Sequence, residues 1–276
     1  MYHIIGASGF IGTKFIQFLN QKCIIDYIGY SDEAIEDFKK LDLLNIDYKH
    51  FDYINEDDVV VFLAAISSPD ICENNYQFAR SVNVIGTETF IAECLKRKAK
   101  VIFFSSDVVY GGNTAINTEL TSPSPIGKYA EMKLYIEQQF KSYANFKVLR
   151  LSYVLSENDK FFNYLTECHN NNEVAEVFDG LYRNVILVDD VLDSIYNLSI
   201  KFYNFSNVVF NVCGDDCLSR VDLTKYYIKK FNIVKYKVIE VPEEILKSRP
   251  NKIEVKSLFL EKLLDRKTLK IVNKEI

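Results

Sequence analysis

The sequence predicts an α/β protein: a doubly wound parallel sheet with a smaller C-terminal α/β lobe. Three observations predict it. A short apolar run, Met1 to Ile5, leads at once into Gly6-Ala7-Ser8-Gly9-Phe10-Ile11-Gly12, after which Ile11, Phe15, Phe18 and Leu19 recur at i, i+4, i+7 and i+8. That is strand, glycine turn and amphipathic helix. Apolar runs then alternate with helical periodicity as far as residue 152, the pattern of right-handed strand–helix–strand units. Third, Val59 to Ala65 (VVVFLAA) is almost unbroken apolar sequence, as suits a parallel strand covered on both faces.

The opening turn needs its glycines. A chain that reverses this tightly has little room for Cβ atoms, and their absence lets an anion approach the helix N-terminus. Free N–H groups and the helix dipole favour negative charge there. A tight turn with no ligand is the competing reading. The other elements follow in order. Cys23 to Tyr30 is a second strand, with Ser31-Asp32 at its end, about 20 residues past the glycines, where a dinucleotide fold faces its adenosine ribose. A carboxylate there accepts from a ribose 2′-OH and repels a 2′-phosphate, so Asp32 leans towards NAD. Asp32 or Ser31 could equally cap a following helix, AIEDFKKLDLL. Asp47 to Asp52 is the expected third strand, Val59 to Ala65 the fourth, and Tyr53 to Asp58 a loop between them. A helix over residues 76–98, a fifth strand at Lys100 to Ser105, a helix over 127–143 and a sixth strand at Lys147 to Leu151 complete the alternation. Beyond residue 152 the pattern is irregular: an Asn-rich loop at 169–172, a helix starting at Val188-Asp189-Asp190 with an aspartate cap, and a strand at Val208 to Val212.

Composition narrows the classes. The chain has 276 residues, 48% hydrophobic and 26% charged, with net charge −5. A chain of this length buries roughly three quarters of its unfolded surface and needs no staples. Its Lys and Arg are scattered, so nothing resembles a nucleic-acid footprint. No apolar run reaches membrane-spanning length, and a strand starting at residue 2 leaves no room for a signal peptide. The six cysteines lie in or beside apolar runs and read as reduced small hydrophobes of a cytoplasmic protein. Three histidines, of which only His169 adjoins a cysteine, offer little for a metal, and none is expected.

Two features stand at the carboxyl ends of strands, where open α/β sheets bind ligands. One is Ser105-Ser106. The other is Tyr129-Ala-Glu-Met-Lys133, whose tyrosine and lysine share a helix face at i and i+4. A fixed ammonium lowers a phenol from its usual pKa of about 10. Such a phenol can protonate a carbonyl oxygen as hydride arrives, or run in reverse. A serine hydroxyl on the same oxygen stabilises developing negative charge. In a chain with 18 tyrosines an isolated YxxxK is expected by chance. Its occurrence after a glycine turn and a strand-end serine is much rarer.

On these residues the sequence resembles the extended short-chain dehydrogenase/reductases over most of its length. GASGFIG, FLAA, NVIGT (Asn83 to Thr87), FFSSDVVYG (Phe103 to Gly111) and YAEMK occur in that superfamily's order and spacing. Within it, the chain is most similar to the dTDP-4-dehydrorhamnose reductase branch. Asp70-Ile-Cys-Glu73 resembles DxCE, YAEMKLYIE resembles YGxxKLxxE with Glu137 in place, and Arg150 to Val154 resembles RTSWV. DGLYRNVILVDD (Asp179 to Asp190) resembles DxxxRxPxxVDD, and Ser219-Arg220 and Arg249-Pro250 also fit.

The resemblance implies an NAD(P)-binding Rossmann domain over 1–152 and roughly 184–215, with a substrate lobe over roughly 153–183 and 216–276. It implies Ser106, Tyr129 and Lys133 as the catalytic triad. Gly6, Ser8, Gly9, Phe10, Ile11 and Gly12 would hold the cofactor diphosphate, Ser31, Asp32, Asp52 and Tyr53 its adenosine. Leu63, Ala64, Ala65, Asn83 and Ser105 would line or support the groove. Ser67, Asp107, Val108, Tyr153 and Arg183 would face a nucleotide-sugar substrate, with Arg183 at its diphosphate or, alternatively, in a surface ion pair. The implied partners are that substrate and a second copy of the chain in a homodimer, its helices 76–98 and 127–143 paired.

Departures bear on the reaction. Related 4,6-dehydratases carry Glu where Val108 stands, and fucose-forming epimerase-reductases carry Cys where Asp107 stands. The resemblance therefore implies an NAD(P)H-dependent reductase of a nucleoside-diphosphate-activated 4-keto-6-deoxy sugar. An NAD-dependent C4 epimerase and a non-catalytic dinucleotide-binding regulatory subunit are the alternatives.

Overall fold

The computed structural model describes residues 1–156, 159–231 and 234–271. Its centre is a seven-stranded sheet in the order β10-β6-β5-β4-β1-β2-β3. The strands are β1 (Tyr2–Ile5), β2 (Tyr27–Ser31), β3 (Lys39–Lys40), β4 (Val59–Phe62), β5 (Lys100–Ser106), β6 (Phe146–Leu151) and β10 (Val209–Val212), and every pairing is parallel. The expected doubly wound sheet is therefore present.

Alternation along the strands builds two cores. Ile4, Val61, Ile102 and Phe210 pack under α1 (Phe10–Gln21), α7 (Val188–Ile200) and α10 (Leu260–Leu264), which contribute Phe15, Leu19, Ile195, Leu198, Leu260 and Leu263. Ile5, Val60, Phe62 and Phe103 face the opposite way, towards Phe90 and Ile91 of α4 (Thr87–Lys96) and Ile136 and Phe140 of α5 (Lys128–Phe140). The helix expected over 76–98 is composite: α3 (Tyr76–Arg80) passes through a π-helical segment, Ser81–Gly86, into α4.

The later half forms a second group of elements. β9 (Tyr182–Leu187) pairs with β7 (Tyr153–Leu155), β11 (Cys217–Ser219) and β13 (Lys252–Ile253). β8 (Ala175–Asp179) pairs with β12 (Tyr236–Glu240). α6 (Lys160–Asn170) and α8 (Arg220–Lys230) bury Phe162, Leu165, Leu223 and Tyr227 with them. The Asp159 carboxylate caps α6, and Ser219 with Asp222 forms a capping box on α8.

Four expectations are corrected. No helix spans AIEDFKKLDLL: the segment turns, supplies β3 and passes on, because Phe38 packs where a side chain on Gly29 of β2 would stand. Asp47 to Asp52 is not a strand but lies in a 3₁₀ segment, Tyr48–Tyr53, started by the Asp47 carboxylate accepting from the Lys49 N–H at 3.0 Å. Its i, i+3 spacing carries Phe51 into the core, 5.0 Å from the Phe90 ring centroid. The expected loop at 169–172 is half helix: His169 and Asn170 end α6, and Asn171 and Asn172 turn away from it. Neither aspartate of Val188-Asp189-Asp190 caps α7, whose N-cap is Leu187. Asp190 instead accepts from Arg266 and from the Leu269 N–H.

Candidate active site

A groove of about 600 Å³ runs along the carboxyl ends of the central strands. Its floor is the opening turn. Gly6 has φ +87°, and a Cβ there would come 2.9 Å from the Ala64 nitrogen. At Gly12 a Cβ would come 2.4 Å from the Gly6 carbonyl oxygen. Glycine at these positions lets α1 start directly against the β1 and β4 ends. No side chain caps α1 and its first turn has no acidic residue, so its N-terminal dipole is left for an anion. Gly6, Ser8, Gly9, Phe10, Ile11 and Gly12 all line the groove, as do Leu63, Ala64, Ala65 and Ser67.

One end is closed by Tyr30, Ser31 and Asp32 from β2 and by Leu41, Asp42, Leu43 and Leu44 after β3. The Ser31 hydroxyl lies 2.9 Å from that of Ser8 and accepts from the Glu33 N–H at 3.1 Å. With no helix after them, Ser31 and Asp32 have none to cap. Asp52 and Tyr53 lie on the 3₁₀ segment outside the groove lining. With β3 at Lys39–Lys40, the residues leaving its end towards the groove are Leu41 to Leu44.

The other end holds Phe104, Ser105 and Ser106 of β5, Tyr129 and Lys133 of α5, and Leu151 and Ser152. Lys133 is buried and donates to the Phe104 carbonyl at 2.7 Å. Its amine stands 5.8 Å from the Tyr129 ring centroid. Burial pulls that amine down to about 8, against the opposing charge of Glu137. Burial pushes the Tyr129 phenol above its usual value, helped by Cys72 and Asp107. The expected lowering of the phenol is therefore not found: desolvation dominates, and Cys72 and Asp107 act in the same direction. The Ser106 hydroxyl donates to Asp107 Oδ1 at 3.2 Å. Among the described residues, the buried Ser105 and Ser152 hydroxyls have no hydrogen-bond partner, so the groove presents two unspent polar atoms to a ligand.

Asn83 stands behind this end. In the π-helical segment its amide accepts from the Ile66 N–H at 2.8 Å and donates to the Ile66 carbonyl at 2.9 Å, which fixes the wall at Ala65, Ile66 and Ser67. Asp107, Val108, Tyr153 and Arg183 lie outside the groove lining. Asp107 is buried, and its Oδ2 has no hydrogen-bond partner among the described residues. Burial raises its carboxyl to about 6 against the charge of Arg183. Arg183, on β9, donates to the carbonyls of Tyr182 and Pro250. Burial lowers its guanidinium, and Arg220 and Arg249 reinforce that. Tyr153 donates to Asp159 at 2.7 Å and accepts from Arg220 at 2.6 Å.

Three guanidiniums and one buried carboxylate therefore share a field beside the groove. Sequence reasoning assigned a role to Arg183 alone. Arg220 reads locally as the first residue of a capped helix, and only the fold sets it on Tyr153. Ser152 matches the serine of the RTSWV-like stretch Arg150 to Val154, but nothing local gives it a role. The glycine turn and the orphaned hydroxyls fit a dinucleotide along the groove: the turn leaves room for a diphosphate at the start of α1, and the two serines would offer polar atoms at the other end.

Residues 2–267 match the family model described as the RmlD substrate binding domain. Among curated proteins, the chain is 23% identical over 275 residues to an ADP-L-glycero-D-manno-heptose-6-epimerase of Brachyspira hyodysenteriae, covering 89% of this chain and 86% of that one. It is 31% identical over 133 residues to methionine adenosyltransferase 2 subunit beta of Xenopus tropicalis, covering 48% of this chain and 40% of that one. Among solved structures, a hypothetical dTDP-4-dehydrorhamnose reductase from Sulfolobus tokodaii superposes with TM-score 0.83 at 22% identity over the whole of both chains. A UDP-glucuronic acid 4-epimerase from Bacillus cereus superposes with TM-score 0.80 at 21% identity, covering 98% of this chain and 94% of that one.

Proposed function

The chain belongs to the RmlD substrate binding domain family, among the extended short-chain dehydrogenase/reductases, and we propose that it reduces a nucleoside-diphosphate-activated 4-keto-6-deoxy sugar. The observation that carries this reading is the convergence of Ser106, Tyr129 and Lys133 on one end of the glycine-floored groove. A nicotinamide dinucleotide bound along that groove supplies the hydride. Tyr129 protonates the keto oxygen, and burial keeps its phenol in the protonated form a reduction needs. The Ser106 hydroxyl turns from Asp107 to the same oxygen and stabilises its developing charge. Lys133 holds a proton at Nζ, anchored on the Phe104 carbonyl, and returns it towards the phenol after turnover. Asp32, at the groove's far end, favours NAD over NADP. Arg183, Arg220 and Arg249 receive the substrate diphosphate; before it arrives Asp107 and two backbone carbonyls offset the charge of Arg183, Asp70 pairs with Arg249 and Tyr153 takes Arg220. A guanidinium fork suits phosphate oxygens.

The test is turnover of dTDP-4-dehydrorhamnose with NADH and NADPH. Tyr129→Phe should leave NADH affinity unchanged and cut kcat by about 100-fold or more. Full turnover in that variant refutes the acid assignment. The shared segment with a methionine adenosyltransferase subunit supports a second reading, a non-catalytic dinucleotide-binding subunit. Cofactor binding without turnover of any nucleotide keto-sugar is its signature.

A further inference from the structure

α2 (Pro69–Asn74) is a single short helix, yet its acidic side chains reach two other parts of the chain. Asp70 pairs with Arg249 at 2.6 Å. Glu73 Oε1 accepts from the Lys128 N–H at 2.6 Å. Lys128 is the first residue of α5, and the N-cap residue Gly127 offers no side-chain cap. The first N–H groups of a helix have no partner within it, and a carboxylate is the group the dipole favours there. α5 therefore takes its cap from another helix. Tyr129 follows one residue later, packed in the cluster that holds Cys72, the neighbour of Glu73. The joint has little slack. Gly127 has φ +87°, and a Cβ on it would meet Glu73 Oε1 at 3.2 Å and the Ser248 carbonyl oxygen at 2.8 Å.

We propose that Glu73 is a positioning residue for Tyr129: its carboxylate, capping α5 from outside, sets the first turn of that helix and so the place of the phenol in the groove. The inference rests on the reading of Tyr129 as the proton donor. Glu73 touches neither substrate nor cofactor in this scheme, and Lys133, a full turn further along, is held by its own bond to Phe104. Loss of the cap should therefore move the phenol and spare the rest of the site.

The experiment compares Glu73→Ala, Glu73→Asp and Glu73→Gln, each alone and with Tyr129→Phe, in the dTDP-4-dehydrorhamnose and NADH assay. Glu73→Ala, and Glu73→Asp with its acceptor drawn back by one methylene, should lower kcat about tenfold. The KM for NADH should stay within about twofold of the parent, because the groove floor is untouched. Glu73→Gln keeps an acceptor oxygen and should retain most of the turnover. In the Tyr129→Phe background none of the three should cost anything further, since the group they place is gone. Parental kcat in both Glu73→Ala and Glu73→Asp overturns the proposal alone, as does an equal loss in the two backgrounds. Parental turnover in Tyr129→Phe overturns the acid assignment and this proposal with it.

Discussion

Lys133 is held where an ammonium is costly. It is buried, and its pKa falls from 10.5 to about 8 for that reason. Such a fall corresponds to about 3 kcal/mol against the charged form. The sign follows from proton counts. Between pH 8 and 10.5 the unfolded chain binds more protons at this residue than the folded one, so the penalty is complete below about pH 8 and fades as pH approaches 10.5. Lys133→Met, similar in shape and uncharged, should unfold at higher urea at pH 7 by about 1–3 kcal/mol, with the advantage shrinking towards pH 10.5. Its kcat should fall sharply. Urea titrations at pH 7, 9 and 10.5 with parallel turnover assays measure both, and a destabilised variant at pH 7 contradicts the argument. Ser106, Tyr129 and Lys133 were legible in the sequence because a strand end and a helix period fix where such side chains go. The direction of the phenol's shift was not. It depends on what covers Tyr129, and Cys72 and Asp107 come from segments far along the chain.

At the scale of elements, the misread stretch is 34–53, and the reason is packing. AIEDFKKLDLL has helical periodicity, but Phe38 and Leu41 are claimed by opposite faces of the sheet, which no single helix could serve. The short β3 then delivers Leu41 to Leu44 to the groove, and this loop leans on the π-helical segment. A Cβ on Gly86 would come 2.1 Å from the Leu43 carbonyl oxygen. The glycine of NVIGT thus serves a loop about 40 residues earlier, a contact no local pattern announces. Gly86→Ala should push Leu41 to Leu44 outward. Helix propensity gains from alanine are offset by overpacking, for a net loss of about 1–3 kcal/mol. The dissociation constant for NADH should rise about tenfold while substrate KM changes little. Fluorescence titration of NADH decides it: parental affinity would show that the loop does not shape the cofactor end.

The whole molecule is held together where its seven-stranded sheet meets the four-stranded one. Residues 184–187, expected with the cofactor domain, lie in β9 of the smaller sheet. Residues 260–264, expected in the substrate lobe, are α10 and pack into the main core. The chain crosses between the two groups repeatedly, so composition could not reveal the division. Asn184 stitches the crossing. Buried, it donates to the Gly214 carbonyl at 2.8 Å and accepts from the Val255 N–H at 2.7 Å. It stands beside Arg183 and steadies the stretch that follows Arg249-Pro250, whose carbonyl takes the Arg183 guanidinium at 3.1 Å. Asn184→Ala leaves a buried donor and a buried acceptor unpaired, at about 2–3 kcal/mol. Because the opening turn and β2 do not touch it, NADH affinity should stay at the parental value. The KM for the nucleotide sugar should rise several-fold, since Arg183 and Arg249 lose their common support. Loss of NADH affinity to the same degree would mean the two ends of the site are mechanically one unit, and the arginines' separate support would be refuted.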